Sequence, residues 1–231
     1  MFSVFGKPWY VRLLLFSMFF ACCFLALFFL CQYQSRPVMI DQWVMDLINN
    51  IRISLIENIS RFFSLIGGGL IVLWALVIAA LLFFGLKKRE LTVYFAAANF
   101  LVLVLTTVFK FFGHRARPLD DISFDPQYSF SDYITSAQYN SFSFPSGHTS
   151  ASVVFFGLLF WLAPVLSKNK WWQAVIRVFS TVAILWVPFS RVHLQLHYPT
   201  DVMGGFCLGA AVLMGVIFAY RIFAKGETLN A

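Results

Sequence analysis

Charge is what this sequence has little of: 12% of its 231 residues are Asp, Glu, Lys or Arg, and only 10 are acidic. A soluble domain carries about 25% charged residues on its water-facing surface, so an ordinary water-soluble globule is excluded. Cysteine is scarce too. Cys22, Cys23, Cys31 and Cys207 all lie in or beside apolar runs, with no C-x-x-C and no His-rich spacing, which favours small core residues over a disulfide framework or metal site. A small-x-small cleavage site is missing after the first apolar run, so Lys7, Arg12 and the stretch that follows read as a retained signal-anchor helix. What is present is apolar: 60% hydrophobic residues, 29 Phe and a mean hydropathy of +0.79. The shortage of acids leaves a net charge of +7, which in a soluble protein would suggest nucleic acid. Here membrane topology accounts for it, and no nucleic-acid partner is expected.

A helix crossing a hydrocarbon core of ~30 Å needs about 20 apolar residues. Runs free of charge cover 13–35, 62–86, 91–109, 149–167 and 202–220, and a sixth, 171–190, is interrupted only by Arg177, which can snorkel to the interface. The expected fold class is therefore all-α: a polytopic bundle of six transmembrane helices forming one membrane domain over 1–231. With the N-terminus inside, Lys7, Arg12, Lys87, Lys88, Arg89, Lys168, Lys170, Arg177, Arg221 and Lys225 fall on the inner side, ten of the 17 basic residues. That excess places both termini in the cytoplasm. Trp9, Tyr10, Trp171 and Trp172 fit an aromatic belt at the same interface.

Two outer segments are long enough to have structure. Over 40–63, polar residues such as Asp41, Asp46 and Glu57 recur among Val44, Leu47, Ile51, Leu55 and Ile59 at close to a 3.6 period, predicting an amphipathic helix on the outer leaflet between helices one and two. It serves equally well as a lid, a spacer or a substrate-sensing element. Gly67, Gly68 and Gly69 then open helix two and read as a close-packing signal. The polar loop 113–144 is long for a structureless connection, which marks it as functional or partly disordered.

Ionisable residues at membrane depth are costly and mark functional sites. Here they collect at three helix ends that the topology brings to one outer surface. Lys110, Arg117 and Pro118 follow helix three, Pro145-Ser146-Gly147-His148 opens helix four, and Ser190, Arg191, His197 and Asp201 bridge helices five and six. Lys110, Arg117 and Arg191 suit a dianionic phosphate, Arg as a planar fork and Lys as a point charge. Ser146 and Gly147 at a helix N-terminus can seat an anion, although an ordinary Ser cap explains the same residues. Pro199 suits a first helical turn, which would let Asp201 accept a hydrogen bond from one His197 nitrogen and make the other a better nucleophile. His148 supplies a second imidazole to protonate the leaving oxygen. Together these residues describe a metal-free phosphatase site with no cofactor.

Other readings use the same residues. His193, His197 and Asp201 are spaced i, i+4, i+8 as zinc ligands on one helix would be, but Tyr198 precedes a proline and is biased away from helix. Asp120, Asp121 and Asp125 could hold magnesium, but they read equally as a solvated loop, and the cations already supply positive charge. Ser146 lacks the G-x-S-x-G elbow of a serine hydrolase. A proton-coupled transporter would place its polar residues near the midplane, not at one interface. His114, Arg115 and His193 lie beside the clusters and read as interface residues.

The three clusters resemble the signature of the type 2 phosphatidic acid phosphatase (PAP2) family, K-x6-R-P, P-S-G-H and S-R-x5-H-x3-D, with every signature position present from Lys110 to Asp201. The resemblance implies a membrane lipid phosphatase that needs no metal, with its site at the outer face of the bacterial cytoplasmic membrane. It implies that His197 attacks phosphorus to form a phosphohistidine, assisted by Asp201. His148 would protonate the leaving group and later activate water, while Lys110, Arg117, Ser146, Gly147 and Arg191 hold the phosphate oxygens. The implied partner is a lipid phosphate or pyrophosphate, with undecaprenyl pyrophosphate foremost and phosphatidylglycerol phosphate, phosphatidic acid and lipid A 1-phosphate as competitors. Oligomeric state is not legible.

Overall fold

A bilayer offers the backbone no hydrogen-bond partners, so each crossing segment must satisfy its own amides, and apolar runs of this length fold as helices. The computed structural model describes residues 9–33, 39–51, 53–118 and 142–224, and the regular structure among them is entirely helical. In chain order the helices are α1 (Trp9–Tyr33), α2 (Met39–Asn49), α3 (Ser54–Ile66), α4 (Gly69–Ala80, prolonged by a π-helical turn Leu81–Gly85), α5 (Arg89–Gly113), α6 (Gly147–Leu166), α7 (Lys170–His193) and α8 (Pro199–Phe223). Five of them, α1 and α5 to α8, are long and apolar enough to cross a membrane, and α3 with α4 makes a sixth crossing if the bent pair is one span. The chain is a multi-pass membrane protein, with Phe29, Phe84 and Phe100 among the exposed apolar side chains on its flanks.

The second crossing differs from a single helix over 62–86. α3 and α4 meet at an angle of 50°. The break falls at Gly67 and Gly68, where the backbone presses against its neighbours: a Cβ on Gly67 would lie 2.5 Å from Val187 Cγ1, and one on Gly68 2.6 Å from His148 Nε2. The amphipathic stretch 40–63 divides into α2 and most of α3. On α2, Ile40, Trp43 and Leu47 are exposed, while Asp41, at i to Val44, Met45 and Ile48, faces inward and is fully buried. An acid on the buried face of a helix requires a partner, and it has one in the site described below.

α6 is the central helix, packing against α5, α7 and α8. Small residues allow close approach between helices where lipid supplies no hydrophobic drive. Gly205 and Gly209 of α8 provide it: a Cβ would lie 2.5 Å from Ser146 O at the first and 2.7 Å from Ser150 O at the second. Thr106 Oγ1 and Ser150 Oγ, 2.8 Å apart, join α5 to α6. The main apolar core gathers Leu82, Leu91, Phe95, Val154, Leu158 and Val187. A smaller one sets Phe144 among Phe24, Phe28, Cys31 and Leu208. Phe144 stacks on Phe24 at 5.9 Å and anchors the strand of chain that enters α6 through a cis Phe144–Pro145 bond. As a result the C-terminal ends of α5 and α7 and the N-terminal ends of α6 and α8 share one end of the bundle.

Because the Gly205 contact is with backbone, which cannot step aside, Gly205→Ala should lower stability by about 1–3 kcal/mol, the usual cost of overpacking. Gly69→Ala, with nothing within 4 Å of the added carbon, should leave stability within about 0.5 kcal/mol. Denaturant unfolding of both variants in the same detergent checks the contrast.

Candidate active site

Each element delivers its residue by a local device. α5 ends where His114 adopts the left-handed region (φ 41°) and its N–H bonds Lys110 O at 3.2 Å, turning the chain so that Arg115 points back into the bundle. Lys110 is buried, and its Nζ donates to Phe142 O at 2.8 Å. The Ser143 N–H donates to Arg115 O at 2.6 Å, so the segment before α6 is tied to the segment after α5 at two points. α7 ends in a turn with Gln195 in the left-handed region (φ 56°), where the Arg191 carbonyl accepts from Leu196 N–H at 3.0 Å and His197 N–H at 3.2 Å. That turn folds the almost fully buried His197 back against the end of α7. Pro199 then starts α8, and Asp201 sits in its first turn.

Ser146 precedes α6, and its carbonyl accepts from Ser150 N–H at 3.0 Å, but its side chain makes no hydrogen bond to the helix backbone; its Oγ accepts from Thr149 Oγ1 at 3.0 Å. It is not the ordinary Ser cap that its position suggests, and the first-turn amides, which have no intrahelical partner, are of the kind that can bond an anion. The Ser146 N–H is spent on Asp201 O at 3.0 Å, joining the heads of α6 and α8. Arg191 Nη1 donates to Ser64 Oγ of α3 at 2.5 Å, while its buried Nε has no partner among the described residues. A buried donor without a partner marks a place prepared for an acceptor.

Lys110, Arg117, Gly147, His148 and His197 line a cavity of about 380 Å³, whose remaining wall comes from α4, α5 and α6: it is apolar from Ile71 to Ala79 and from Phe95 to Leu103 apart from Asn99, and includes Thr106 and Ser150. Arg61, Ser64, Gly68 and Gly69 line a second cavity of about 320 Å³, and His148 stands between the two. The structure thus brings Lys110, Arg117, Gly147, His148 and His197 to one cavity, with Ser146, Arg191 and Asp201 bonded directly around it. Asp120, Asp121, Asp125, Lys7 and Lys225 lie outside the described residues.

One expected contact is replaced. His197 Nδ1 and Asp201 Oδ2 are 3.7 Å apart, too far for a hydrogen bond. Ser143 Oγ fills the gap: it donates to Asp201 Oδ2 and lies 3.3 Å from His197 Nδ1. Asp201 is held back by other donors, with Oδ2 accepting from Tyr198 N–H at 2.8 Å and Oδ1 from Arg115 Nη1 at 2.6 Å. The hydroxyl therefore links carboxylate and imidazole, and His197 Nε2 is left to face the cavity. Burial, then the Lys110, Arg191 and Arg117 cations, hold the His197 imidazole well below the usual histidine value, with the Ser143 main chain opposing. His197 is neutral at neutral pH.

His193 ends α7, stacked on Phe189 at 5.5 Å, so His193, His197 and Asp201 do not share a helix. Among the described residues no three His, Cys, Asp or Glu side chains are grouped to hold a metal ion. Residues that sequence reasoning missed are Ser143, Ser64, Gly68, Asp41 and Arg115. Arg115 is buried, donating to Asp41 and Asp201 at 2.6 Å each, and not a mere interface residue. The position of Asp41 on the inner face of its own helical pattern was the one available signal.

Residues 91–225 match the PAP2 superfamily. Phosphatidylglycerophosphatase B of Bacillus subtilis (strain 168) is 42% identical over 82 residues, 34% of this chain and 39% of that protein. Undecaprenyl-diphosphatase of Sulfolobus acidocaldarius is 27% identical over 164 residues, 71% of this chain and 70% of that protein. The chain thus spans about two fifths of the first relative's length and rather more of the second's. The crystal structure of a transmembrane PAP2-type phosphatidylglycerolphosphate phosphatase from Bacillus subtilis superposes with a TM-score of 0.67 at 23% identity, over 91% of this chain and 98% of that one, which establishes the fold.

The depressed His197 basicity fixes the sign of a stability change. Below the ordinary histidine value of about 6.5 the unfolded chain binds a proton that native His197 refuses, so its contribution is complete above that pH and is lost as pH falls. Thermal unfolding in detergent should show a lower midpoint at about pH 5.5 than at about pH 7.5, and His197→Gln should reduce that difference.

Proposed function

Because the chain belongs to the PAP2 superfamily, among its membrane lipid phosphatases, we propose that it hydrolyses the terminal phosphate of a lipid pyrophosphate, foremost undecaprenyl pyrophosphate, at the outer face of a bacterial cytoplasmic membrane with both termini inside. The observation that carries this reading is the cavity: two imidazoles and two cations in its lining, and mostly apolar walls along the rest. A phosphate belongs at the first and a lipid chain along the second. The lining follows α5 from Lys110 to Phe95, about 22 Å at 1.5 Å per residue, which suits a long chain. The Sulfolobus relative's name favours a polyprenyl substrate, whereas the Bacillus relative's supports phosphatidylglycerol phosphate as the runner-up, ahead of phosphatidic acid and lipid A 1-phosphate.

The reaction proceeds in two displacements. Lys110, Arg117 and Arg191, with Ser146 and the first-turn amides including Gly147, bind the phosphate oxygens and offset their charge. His197 Nε2 attacks the terminal phosphorus, forming an N–P bond as the bond from that phosphorus to the bridging oxygen breaks, and His148 donates a proton to the departing oxygen of the lipid monophosphate. The positive charge that develops on the His197 ring is stabilised by Asp201 through the Ser143 hydroxyl. Water then attacks the phosphohistidine, His148 takes its proton, the N–P bond breaks and inorganic phosphate leaves. No step in this sequence uses a metal or cofactor.

Purified protein should therefore release phosphate in excess EDTA from at least one of undecaprenyl pyrophosphate, phosphatidylglycerol phosphate, phosphatidic acid and a lipid A precursor, compared at matched surface concentration. Complete loss on chelation would overturn the metal-free route. Flux of substrate into proteoliposomes without phosphate release would support a transporter instead. His197→Ala should lose at least about a thousandfold in kcat while remaining folded, and the acid-labile, base-stable phosphate trapped on the wild type by rapid quenching should be absent from it.

A further inference from the structure

Asp41 has no part in the mechanism above and lies outside the stretch that matches the family, yet it is fully buried and bonded to the same network. It comes from α2, whose opposite face exposes Met39, Ile40, Trp43 and Leu47. Its Oδ2 accepts from Arg115 Nη2 at 2.6 Å and from Thr200 Oγ1 at 2.9 Å, and its Oδ1 accepts from Thr200 N–H at 2.9 Å. The other nitrogen of the guanidinium, Nη1, binds Asp201 Oδ1 at 2.6 Å and Thr200 Oγ1 at 2.7 Å, and the ring of Tyr198 lies 4.5 Å from its carbon. Arg115 also accepts the Ser143 N–H through its own carbonyl. Arg115 thus holds two members of the path from Asp201 through Ser143 to His197, the carboxylate with its guanidinium and the serine with its main chain, and Asp41 sets the guanidinium.

We propose that Asp41 is a positioning residue for catalysis, which holds Arg115 and the first turn of α8 so that Asp201 presents its second oxygen to Ser143 and His197. This rests on the phosphatase reading. Two carboxylates share one cation here. With Asp41 present, Arg115 orients Asp201 without neutralising it fully; with Asp41 removed, the whole guanidinium charge falls on Asp201, and the Nη2 that faced Asp41 loses a charged acceptor inside the protein. The consequence is a weaker acceptor behind His197 and a less reactive imidazole, with the phosphate-binding groups untouched.

The test uses the full chain in detergent with whichever lipid phosphate the wild type hydrolyses. Asp41→Asn should lower kcat at least about tenfold with KM within about threefold, and Asp46→Asn, an exposed acid on the same helix, should change neither. In a Ser143→Ala background, where the path to His197 is already cut, adding Asp41→Asn should cost less than about threefold, because residues acting through one chain of contacts are not additive. If Asp41→Asn does not accumulate as folded protein, Arg115→Lys, which keeps the charge and loses the fork, should show the same non-additivity. The proposal is overturned if kcat of Asp41→Asn stays within about twofold of wild type, if KM alone rises, or if the loss is undiminished in the Ser143→Ala background. A wild type that releases phosphate from none of the lipids overturns the functional reading, and the role of Asp41 with it; an active wild type with any of the contrary outcomes overturns the role of Asp41 alone.

Discussion

Burying a cation costs several kcal/mol unless it is paired, and one end of this bundle gathers four cations, Lys110, Arg115, Arg117 and Arg191. The constraint is met in two ways. Arg115 is satisfied within the protein, between Asp41 and Asp201. Lys110 and Arg191 have neutral acceptors in Phe142 O and Ser64 Oγ. Four cations against two carboxylates leave two positive charges, which match a phosphate dianion, and the unpartnered Nε of Arg191 is a place where such an anion can bond. Arg115 is thus paired within the protein, and in the proposed reaction the other three cations bind the phosphate. Burial first, and then the same surplus of positive charge, hold the His197 imidazole below its usual value and favour the neutral form a nucleophile requires.

Fixing so much charge demands helix ends that do not shift, and glycine makes that possible. Gly205 and Gly209 bring α8 against the backbone of α6, so Ser146 and Asp201 can bond main chain to main chain. Gly68 brings the break between α3 and α4 against His148. On one side of that break α3 brings Ser64 to Arg191, and on the other α4 forms one wall of the apolar cavity. In the proposed reading the phosphate site and the space for the lipid chain both adjoin this bend.

The signature residues were legible because their types and spacings are few and their chemistry restricted. Tyr198-Pro199 alone argued that His193 and His197 are not on one helix, and the structure places α7's end and α8's start on either side. The link between His197 and Asp201 was not legible in its actual form, since Ser143 lies more than fifty residues away in sequence and enters the gap only through tertiary contact. Arg115 lay in plain view two residues from Arg117, but nothing local separates a cation that binds ligand from one that binds protein. Gly67 and Gly68 read as packing residues, and so they are, but only the structure shows that their packing bends a crossing helix beside a histidine.

The sequence by itself determined the membrane, the helical class and the family. Hydropathy, charge scarcity and side-chain type are properties of each residue, and the backbone has no alternative in lipid. The tertiary structure decided how charge is apportioned at the site: which cation is paired within the protein, which hydroxyl stands behind the nucleophile, and that an acid on the surface helix α2 reaches Arg115. Those depend on distances of about 3 Å between segments far apart in the chain, and the energy of a buried charge turns on such distances and not on the residue that carries it.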